Sequence, residues 1–315
     1  MPHLAVVIVS WNVRELLASC LRFLFDDLGR SAPGAAVWVV DNASTDGTPE
    51  MVAETFPEVH LVASDRNLGF AAANNLALGA FLRDSRSAAC DSFVWLLNPD
   101  TEVQPGATAA LLRALDTHRR GGVVGAKLLY PDGSLQHSAF RFPGLMQLVF
   151  ELFPMPERLY DTRLNGRYPR HLYQGPAPFP VDHPLGASMM VRREAIDEVG
   201  LLDEGFWMYC EEIDWCWRMH RAGWTAYCAP AAEVIHHAGK SSEQVQVRSF
   251  VALWRSRIRL YEKHYPAWKR RLARLTVTLG MHRKIRQARA AHRRGEMDAT
   301  ELKARLEAYQ TVITL

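Results

Sequence analysis

The side chains able to do chemistry in this sequence recur at the ends of apolar runs. Asp41 follows Ala36-Val-Trp-Val-Val40, Asp100 follows Phe93-Val-Trp-Leu-Leu97 by way of Asn98-Pro99, and His236 closes Glu233-Val-Ile-His236. A carboxylate at Asp41 can accept a hydrogen bond from the imide of a nucleotide base, and the turn Asn67-Leu68-Gly69 lets backbone approach a ligand closely. Asp100 with His236 could complete a metal or phosphate site. Glu211, Glu212 and Asp214 crowd into one aromatic-rich stretch, Phe206-Trp-Met-Tyr-Cys-Glu-Glu-Ile-Asp-Trp-Cys-Trp-Arg218. Asp214 and Arg218 stand one helical turn apart and are expected to pair. Glu211 or Glu212, held in a partly apolar wall, could then serve as a general base. Ordinary roles exist for each group taken alone: Glu211 and Glu212 gain from a helix dipole, while Asp41, Asp46 and Asn67 suit turns and caps. Their joint placement at successive strand ends is what points to a site.

The elements that must position these groups are legible as runs. Leu4 to Val9 is a strand of the kind buried on both faces, ending in Ser10-Trp11-Asn12. Asn12 can cap the next helix, where Leu16, Leu17, Cys20, Leu21, Leu24 and Phe25 repeat at helical spacing. Ala36–Val40, Val59–Ala63 and Phe93–Leu97 supply further strands with helical patterns between them. Repeated strand-loop-helix units predict an α/β fold, Rossmann-like, with a mostly parallel sheet flanked by helices and polar loops gathered at one edge. Open α/β sheets bind ligands at that edge. Neither Gly-x-Gly-x-x-Gly after a strand nor Gly-x-x-x-x-Gly-Lys-Ser/Thr occurs, which removes the main support for dinucleotide-binding and P-loop readings. Later in the chain, the pattern predicts a helix near Ala107–His118, a strand over Val123–Tyr130 and a long loop-like excursion over Phe142–Pro180. A strand in Val181–Val191, a short helix Arg193–Val199 and two short strands, Tyr227–Pro230 and Glu233–His236, follow.

With 315 residues, 48% hydrophobic and 23% charged, the chain has the composition of a soluble globular protein with room for one large domain and an appendage. Five cysteines, Cys20, Cys90, Cys210, Cys216 and Cys228, are an odd number without metal-ligand spacing, so disulfides are not expected and a reducing compartment is. Leu4–Val9 is too short for a signal peptide, and no apolar run reaches spanning length, which predicts a cytoplasmic protein. The net charge of +3 is unevenly spread. From Arg248 to Arg294 the only acid is Glu262, amid Phe250, Trp254, Ile258, Tyr261, Tyr265 and Trp268. A basic amphipathic helix carrying tryptophans fits an anionic membrane surface; a packed helix with a solvated basic face, or nucleic-acid binding, are the competing readings.

Together the motifs resemble the family 2 glycosyltransferases, and among them the rhamnosyltransferase-like members that act on bacterial surface polysaccharides. The matching pieces are VVIVSWN (Val6–Asn12), VVDNASTDGT (Val39–Thr48), NLGFAAANN (Asn67–Asn75), LLNPDTEV (Leu96–Val103), GASMMVRREA (Gly186–Ala195), FWMYCEEIDWCWR (Phe206–Arg218) and VIHHAGKSS (Val234–Ser242). The resemblance implies a GT-A fold over residues 1–244, with a nucleotide-binding half (1–125) and an acceptor and catalytic half (126–244), followed by a basic helical extension (245–315). It implies inverting transfer of a sugar, L-rhamnose leading, from a dTDP- or UDP-linked donor to a lipid-linked glycan or polysaccharide. Ser10, Trp11, Asn12, Asp41, Asn67, Gly69, Asn74 and Asn98 would line the nucleotide-sugar. Asp100 would bind Mg²⁺ or Mn²⁺ with His236 assisting, and Asn98 replaces the first Asp of the usual Asp-x-Asp pattern. The base position falls on Glu212, with Glu211 adjacent. A sugar-phosphate nucleotidyltransferase is the alternative enzyme, but no glycine-rich triphosphate loop follows the first strand; a non-catalytic glycan- or membrane-binding protein on a transferase fold is the alternative outside catalysis.

Overall fold

Every residue of β1 (His3–Ser10) from Leu4 to Val9 is apolar and buried, and a strand can bury such a run only if both faces of its sheet are covered. Alternation divides it between two cores. Leu4, Val6 and Ile8 pack with Leu17, Leu21 and Leu24 of α1 (Arg14–Ser31), Val52 of α2 (Thr48–Thr55) and Leu111 of α4 (Ala107–Thr117). Ala5, Val7 and Val9 pack with Ala73 and Ala77 of α3 (Phe70–Arg83), Ile196 of α6 (Arg193–Val199) and Trp215 of α7 (Glu211–Arg221). The computed structural model describes residues 3–83, 92–237 and 246–315.

The sheet runs in the order β3 (His60–Ala63), β2 (Ala36–Asp41), β1, β4 (Ser92–Leu97), β11 (Ser188–Arg192), β6 (Gly121–Leu129), β12 (Thr225–His236), β5 (Thr101–Val103). The first four are parallel, so their carboxyl ends share one edge. Strand β11 is antiparallel to both β4 and β6, and Ser188 lies opposite Leu97. The chain entering β11 therefore reaches the same edge from the other direction. Strand β12 is parallel to β6 and antiparallel to β5, which returns His236 beside Thr101. The two short strands expected over Tyr227–His236 are one strand whose register breaks between Ala229 and Glu233. Pro230 sits in that break, where it has no ladder hydrogen bond to donate.

Two further expectations are corrected. Asn12 does not cap α1: the cap position is Val13, and the first helical N–H, that of Arg14, goes to Asp46 Oδ2 at 2.9 Å. Asn12 itself takes φ 52° and turns toward the following loop. The excursion over Phe142–Pro180 contains a helix, α5 (Leu145–Leu152), whose Leu148, Phe150 and Leu152 are buried. Flanking Pro and Gly disguise it as loop. Cys20, Cys210, Cys216 and Cys228 are buried and form no disulfide; Cys90 and residues 238–242 lie outside the described residues.

The chain forms two compact units. Met1–Phe142, Arg167–Trp207 and Glu211–Ser241 make the unit just described; Pro143–Gly166, Met208–Cys210 and Ser242–Leu315 make the second. The second unit is helical: α5, α8 (Gln246–His264), α9 (Ala267–Arg293) and α10 (Ala299–Thr314). Trp254, Leu260 and Met281 are fully buried within it. Gly280 lets α9 approach α5 closely, since a Cβ there would lie 2.8 Å from the Leu152 side chain. Tyr265 donates to the Pro143 carbonyl at 2.5 Å, and Arg257 pairs with Glu151. No described helix is long and apolar enough to cross a membrane.

Candidate active site

Asp41 ends β2 opposite Ser10, the last residue of β1. Three loops are locked around it. Asp41 Oδ2 accepts the Ser44 N–H at 2.9 Å, the Asn12 N–H donates to Ser44 Oγ at 2.9 Å, and Asn12 Oδ1 accepts the Thr45 N–H at 2.7 Å. Asn42 bridges to the next loop: its amide donates to the Gly69 carbonyl at 3.0 Å and its oxygen accepts the Leu68 N–H at 2.9 Å. Asn67 shapes that loop by accepting the Gly69 N–H at 2.9 Å. Within this frame Asp41 is only 1% exposed, yet its Oδ1 and the buried Ser10 hydroxyl have no partner. A buried acceptor left open at a ligand-binding edge is costly, and a ligand donor relieves the cost.

Gly69 takes φ +82° and lies directly beneath Trp207, whose carbonyl accepts the Phe70 N–H at 2.7 Å and so occupies the first turn of α3. Asn75 holds the same helix to the segment before α7, donating to the Leu202 carbonyl at 2.9 Å and accepting its N–H at 3.2 Å. Asn74, buried on the same helix, donates through its side-chain amide to the Phe70 carbonyl at 2.8 Å. Trp11 is partly exposed at the end of β1.

Beyond β4 the chain turns through Asn98, Pro99 and Asp100. Thr101 Oγ1 donates to the Asn98 carbonyl at 2.7 Å, and the Asn98 N–H donates to the Ala187 carbonyl at 2.9 Å. His236 arrives at the end of β12 with Nε2 3.4 Å from Asp100 Oδ1 and 3.5 Å from Asn98 Nδ2. Its other nitrogen, Nδ1, faces Gln136 Oε1 at 3.0 Å. An amide oxygen can only accept, so Nδ1 carries a proton, and in the neutral imidazole Nε2 is then the nitrogen that presents a lone pair. Nε2 and the Asp100 carboxylate, both buried, then face each other as two electron-pair donors, an arrangement that suits a shared divalent cation. Among the described residues, no third His, Cys, Asp or Glu joins them. His237 is used elsewhere, with Nε2 2.9 Å from Glu102 Oε1.

Glu211 and Glu212 open α7 after two consecutive residues of positive φ, Tyr209 at 70° and Cys210 at 66°. Such conformations cost L-residues free energy and collect at functional sites. The expected Asp214–Arg218 pair forms at 2.8 Å, and the Arg218 guanidinium also donates to the Leu201 carbonyl at 2.8 Å, which anchors the helix from below. Glu211 is buried; Glu212 is partly exposed and lies across Gly186, where a Cβ would sit 3.4 Å from its Cγ. Both leave Oε2 buried without a partner. Burial pushes the Glu211 carboxyl well above the usual range, with Glu212 beside it adding to the shift, and burial raises Glu212 to about 7. Gly186 leads through Ala187 to the Asn98 contact, so Glu212 and the Asn98–Asp100 turn border the same edge.

Asn42, Gln136 and Trp207 hold this site together and were not singled out from sequence. Asn42 lies beside a recognised carboxylate, so its neighbour was the available signal. Gln136 and Trp207 act on partners far away in the chain, which sequence spacing does not reveal.

A mixed, mostly parallel sheet sandwiched by helices, with carboxylates on strand ends and on the adjoining helix, is the GT-A architecture. The likeness extends over nearly the whole chain in the mannosyltransferase PcManGT from Pyrobaculum calidifontis, solved with GDP-Man and Mn²⁺: TM-score 0.53 at 16% identity, covering 99% of this chain and 87% of that one. Residues 5–200 match Glycosyl transferase family 2, and the protein belongs to that family and is a glycosyltransferase. The N-acetylglucosaminyl-diphospho-decaprenol L-rhamnosyltransferase of Mycobacterium tuberculosis (strain CDC 1551 / Oshkosh) is 32% identical over 309 residues, covering 95% of this chain and 98% of that protein. The rhamnosyltransferase WbbL of Escherichia coli (strain K12) is 25% identical over 185 residues, 58% of this chain and 66% of that protein.

Proposed function

We propose that this glycosyltransferase moves L-rhamnose, with inversion, from a dTDP- or UDP-linked donor to a polyprenyl-diphosphate-linked glycan during cell-surface polysaccharide synthesis. The sugar and the lipid-linked acceptor are those in the name of the mycobacterial relative, which this chain matches almost end to end. The observation that carries the chemistry is Glu212, a partly exposed carboxylate with an unpartnered oxygen at the same edge as Asp41 and Asp100.

The open Asp41 Oδ1 accepts the imide N–H of a pyrimidine base, and the Ser10–Asn12 segment with Asn67 and Gly69 lines the nucleotide. Glu212 removes the proton of the acceptor hydroxyl as that oxygen attacks the anomeric carbon, and the bond to the diphosphate breaks with its electron pair leaving on the nucleotide. Attack opposite the leaving group inverts the anomeric centre. Glu211 is the more deeply buried of the two, and burial, with Glu212 beside it, raises its carboxyl well above the usual range and so disfavours a second charge next to the base. Asp100 and His236 Nε2 are the residues to hold Mg²⁺ or Mn²⁺, which when bound neutralises the departing diphosphate. Gln136 fixes the His236 tautomer that makes this possible. Work on a lipid-linked acceptor is consistent with a cytoplasmic protein bound peripherally at the inner face of the membrane, where the basic C-terminal helices would meet an anionic surface.

The test is transfer by Glu212→Gln and Glu211→Gln. Glu212→Gln should lose about 10²–10⁴ in kcat while keeping donor affinity. Glu211→Gln should stay within about tenfold of wild type, a difference of ~1.4 kcal/mol in barrier. The reverse order would move the base to Glu211.

A further inference from the structure

Helix α9 (Ala267–Arg293) is apolar on two opposite sides. Ala273, Val277, Met281 and Ile285 repeat at intervals of four and are buried inside the second unit. Trp268, Leu272, Leu275 and Leu279 follow one another at intervals of four, three and four, which stacks them in one stripe. By the 3.6-residue period this second stripe lies diametrically across the helix from the buried one. Its members are 61%, 45%, 56% and 51% exposed. A surface helix that packs by one face ordinarily carries polar residues on the other; here four large apolar side chains form a bare row.

The charges that α9 itself sets along that row are of one sign. No Asp or Glu occurs in the 27 residues of α9. Arg271, three residues after Trp268 and four before Leu275, stands beside both, and His282 and Arg286, three and seven residues beyond Leu279, continue the same line; all three are exposed. A tryptophan and leucines bordered by cations are complementary to a surface whose apolar interior begins just below an anionic layer.

We infer that the Trp268–Leu272–Leu275–Leu279 stripe of α9, with Arg271 and Arg286, is the surface by which this protein docks onto an anionic phospholipid bilayer. The choice of a bilayer as occupant rests on the lipid-linked acceptor proposed above; the stripe and its charge do not. The helix lies in the interface plane, with the leucines entering the acyl boundary and the guanidinium groups meeting lipid phosphates.

The experiment is flotation of the full chain on vesicles of phosphatidylcholine alone and of phosphatidylcholine with phosphatidylglycerol, with calorimetric dTDP and UDP titrations and light scattering on the same samples. Wild type should bind the phosphatidylglycerol vesicles and bind the neutral ones far less. Leu275→Glu with Leu279→Glu should weaken partitioning about a hundredfold, roughly tenfold for each leucine withdrawn from lipid. Arg271→Gln should weaken it about fivefold and reduce its sensitivity to salt. Nucleotide affinity should be unchanged in all variants, because these residues lie outside the nucleotide site. Equal flotation of the leucine variant and wild type, or no binding of wild type to either vesicle, overturns the inference. So does a wild-type dimer that the leucine substitutions dissociate without altering flotation, which would assign the stripe to a second copy of the chain. Failure of every nucleotide to bind would count against the transferase site alone and leave the flotation result standing.

Discussion

Gly69→Ala probes whether the loops around the nucleotide site are held in one arrangement. Gly69 has φ +82°, in the region where an L-residue pays about 1–2 kcal/mol. Its new Cβ would overlap the Trp207 carbonyl oxygen and lie 2.5 Å from Cδ1 of the indole. A backbone carbonyl cannot swing aside as a side-chain tip can, so the two segments must part. Parting breaks the Phe70 N–H bond to Trp207 and strains the Asn42 bond to the Gly69 carbonyl, each worth about 1 kcal/mol. The expected loss is therefore about 3–4 kcal/mol, or a fall of about 10 °C in Tm at the slope usual for a domain this large. Gly106→Ala is the control: Gly106 has φ +87° with nothing within 4 Å of its Cβ position. It should cost only the conformational part, about 1–2 kcal/mol. Thermal denaturation reads the difference, and calorimetric titration with dTDP or UDP reads its consequence, since a displaced loop should weaken binding about tenfold or more, ~1.4 kcal/mol. If Gly69→Ala were no more costly than Gly106→Ala and bound nucleotide normally, the account of the Gly69–Trp207 contact would be refuted.

Asp41→Asn should weaken nucleotide binding at least about tenfold at nearly unchanged Tm, because an amide N–H in place of the open Oδ1 would meet the base imide donor to donor; unaltered affinity would remove Asp41 from base recognition. Gln136→Leu frees the His236 tautomer and should lower Mn²⁺ affinity about 10–100-fold, measured in the presence of nucleotide; unchanged Mn²⁺ affinity would separate His236 from the metal. The pH dependence follows from the raised carboxyls of Glu211 and Glu212. With Glu212 as the proposed base its ionised form is the active one, so kcat should climb with pH to a limb near 7; a limb near 4.5 would contradict that assignment. For stability the sign is opposite: a carboxyl raised in the fold stabilises it fully below its unfolded value of 4.5, and that contribution disappears as pH rises through the folded value. Glu211→Gln should therefore gain stability relative to wild type between pH 5 and pH 8, read as the difference in Tm at each pH.

The parallel half of the sheet was legible because β1, β2 and β4 are continuous apolar runs, and burial on both faces leaves them few alternatives. The mixed half was not. Nothing within Ser188–Arg192 says that it pairs antiparallel with β4, because register comes from partners almost a hundred residues away. Asp41, Asp100 and His236 stood out as polar residues closing such runs. How they act depends on residues without a local signal: Gln136 sets the His236 tautomer from the β7 ribbon (Leu135–Gln136), and Trp207 reaches Gly69 through a carbonyl, which any residue type could have supplied. Asn12 misled for a related reason. Its type suits a helix cap, but with φ 52° its side chain serves the 44–45 loop. Helix α5 was hidden because a short apolar helix bounded by Pro143-Gly144 has the same composition as an ordered loop.

The central claim is inverting transfer by this chain, and the most direct measurement is the anomeric configuration of the product. Purified protein with Mg²⁺ or Mn²⁺, dTDP-L-rhamnose and a polyprenyl-diphospho-N-acetylglucosamine acceptor should release dTDP and form a rhamnosyl glycolipid. Its anomeric coupling and chemical shift should report the configuration opposite to the donor's, and Glu212→Gln should form it about 10²–10⁴-fold more slowly. Product with the donor's configuration, or equal turnover by Glu212→Gln, would contradict the account.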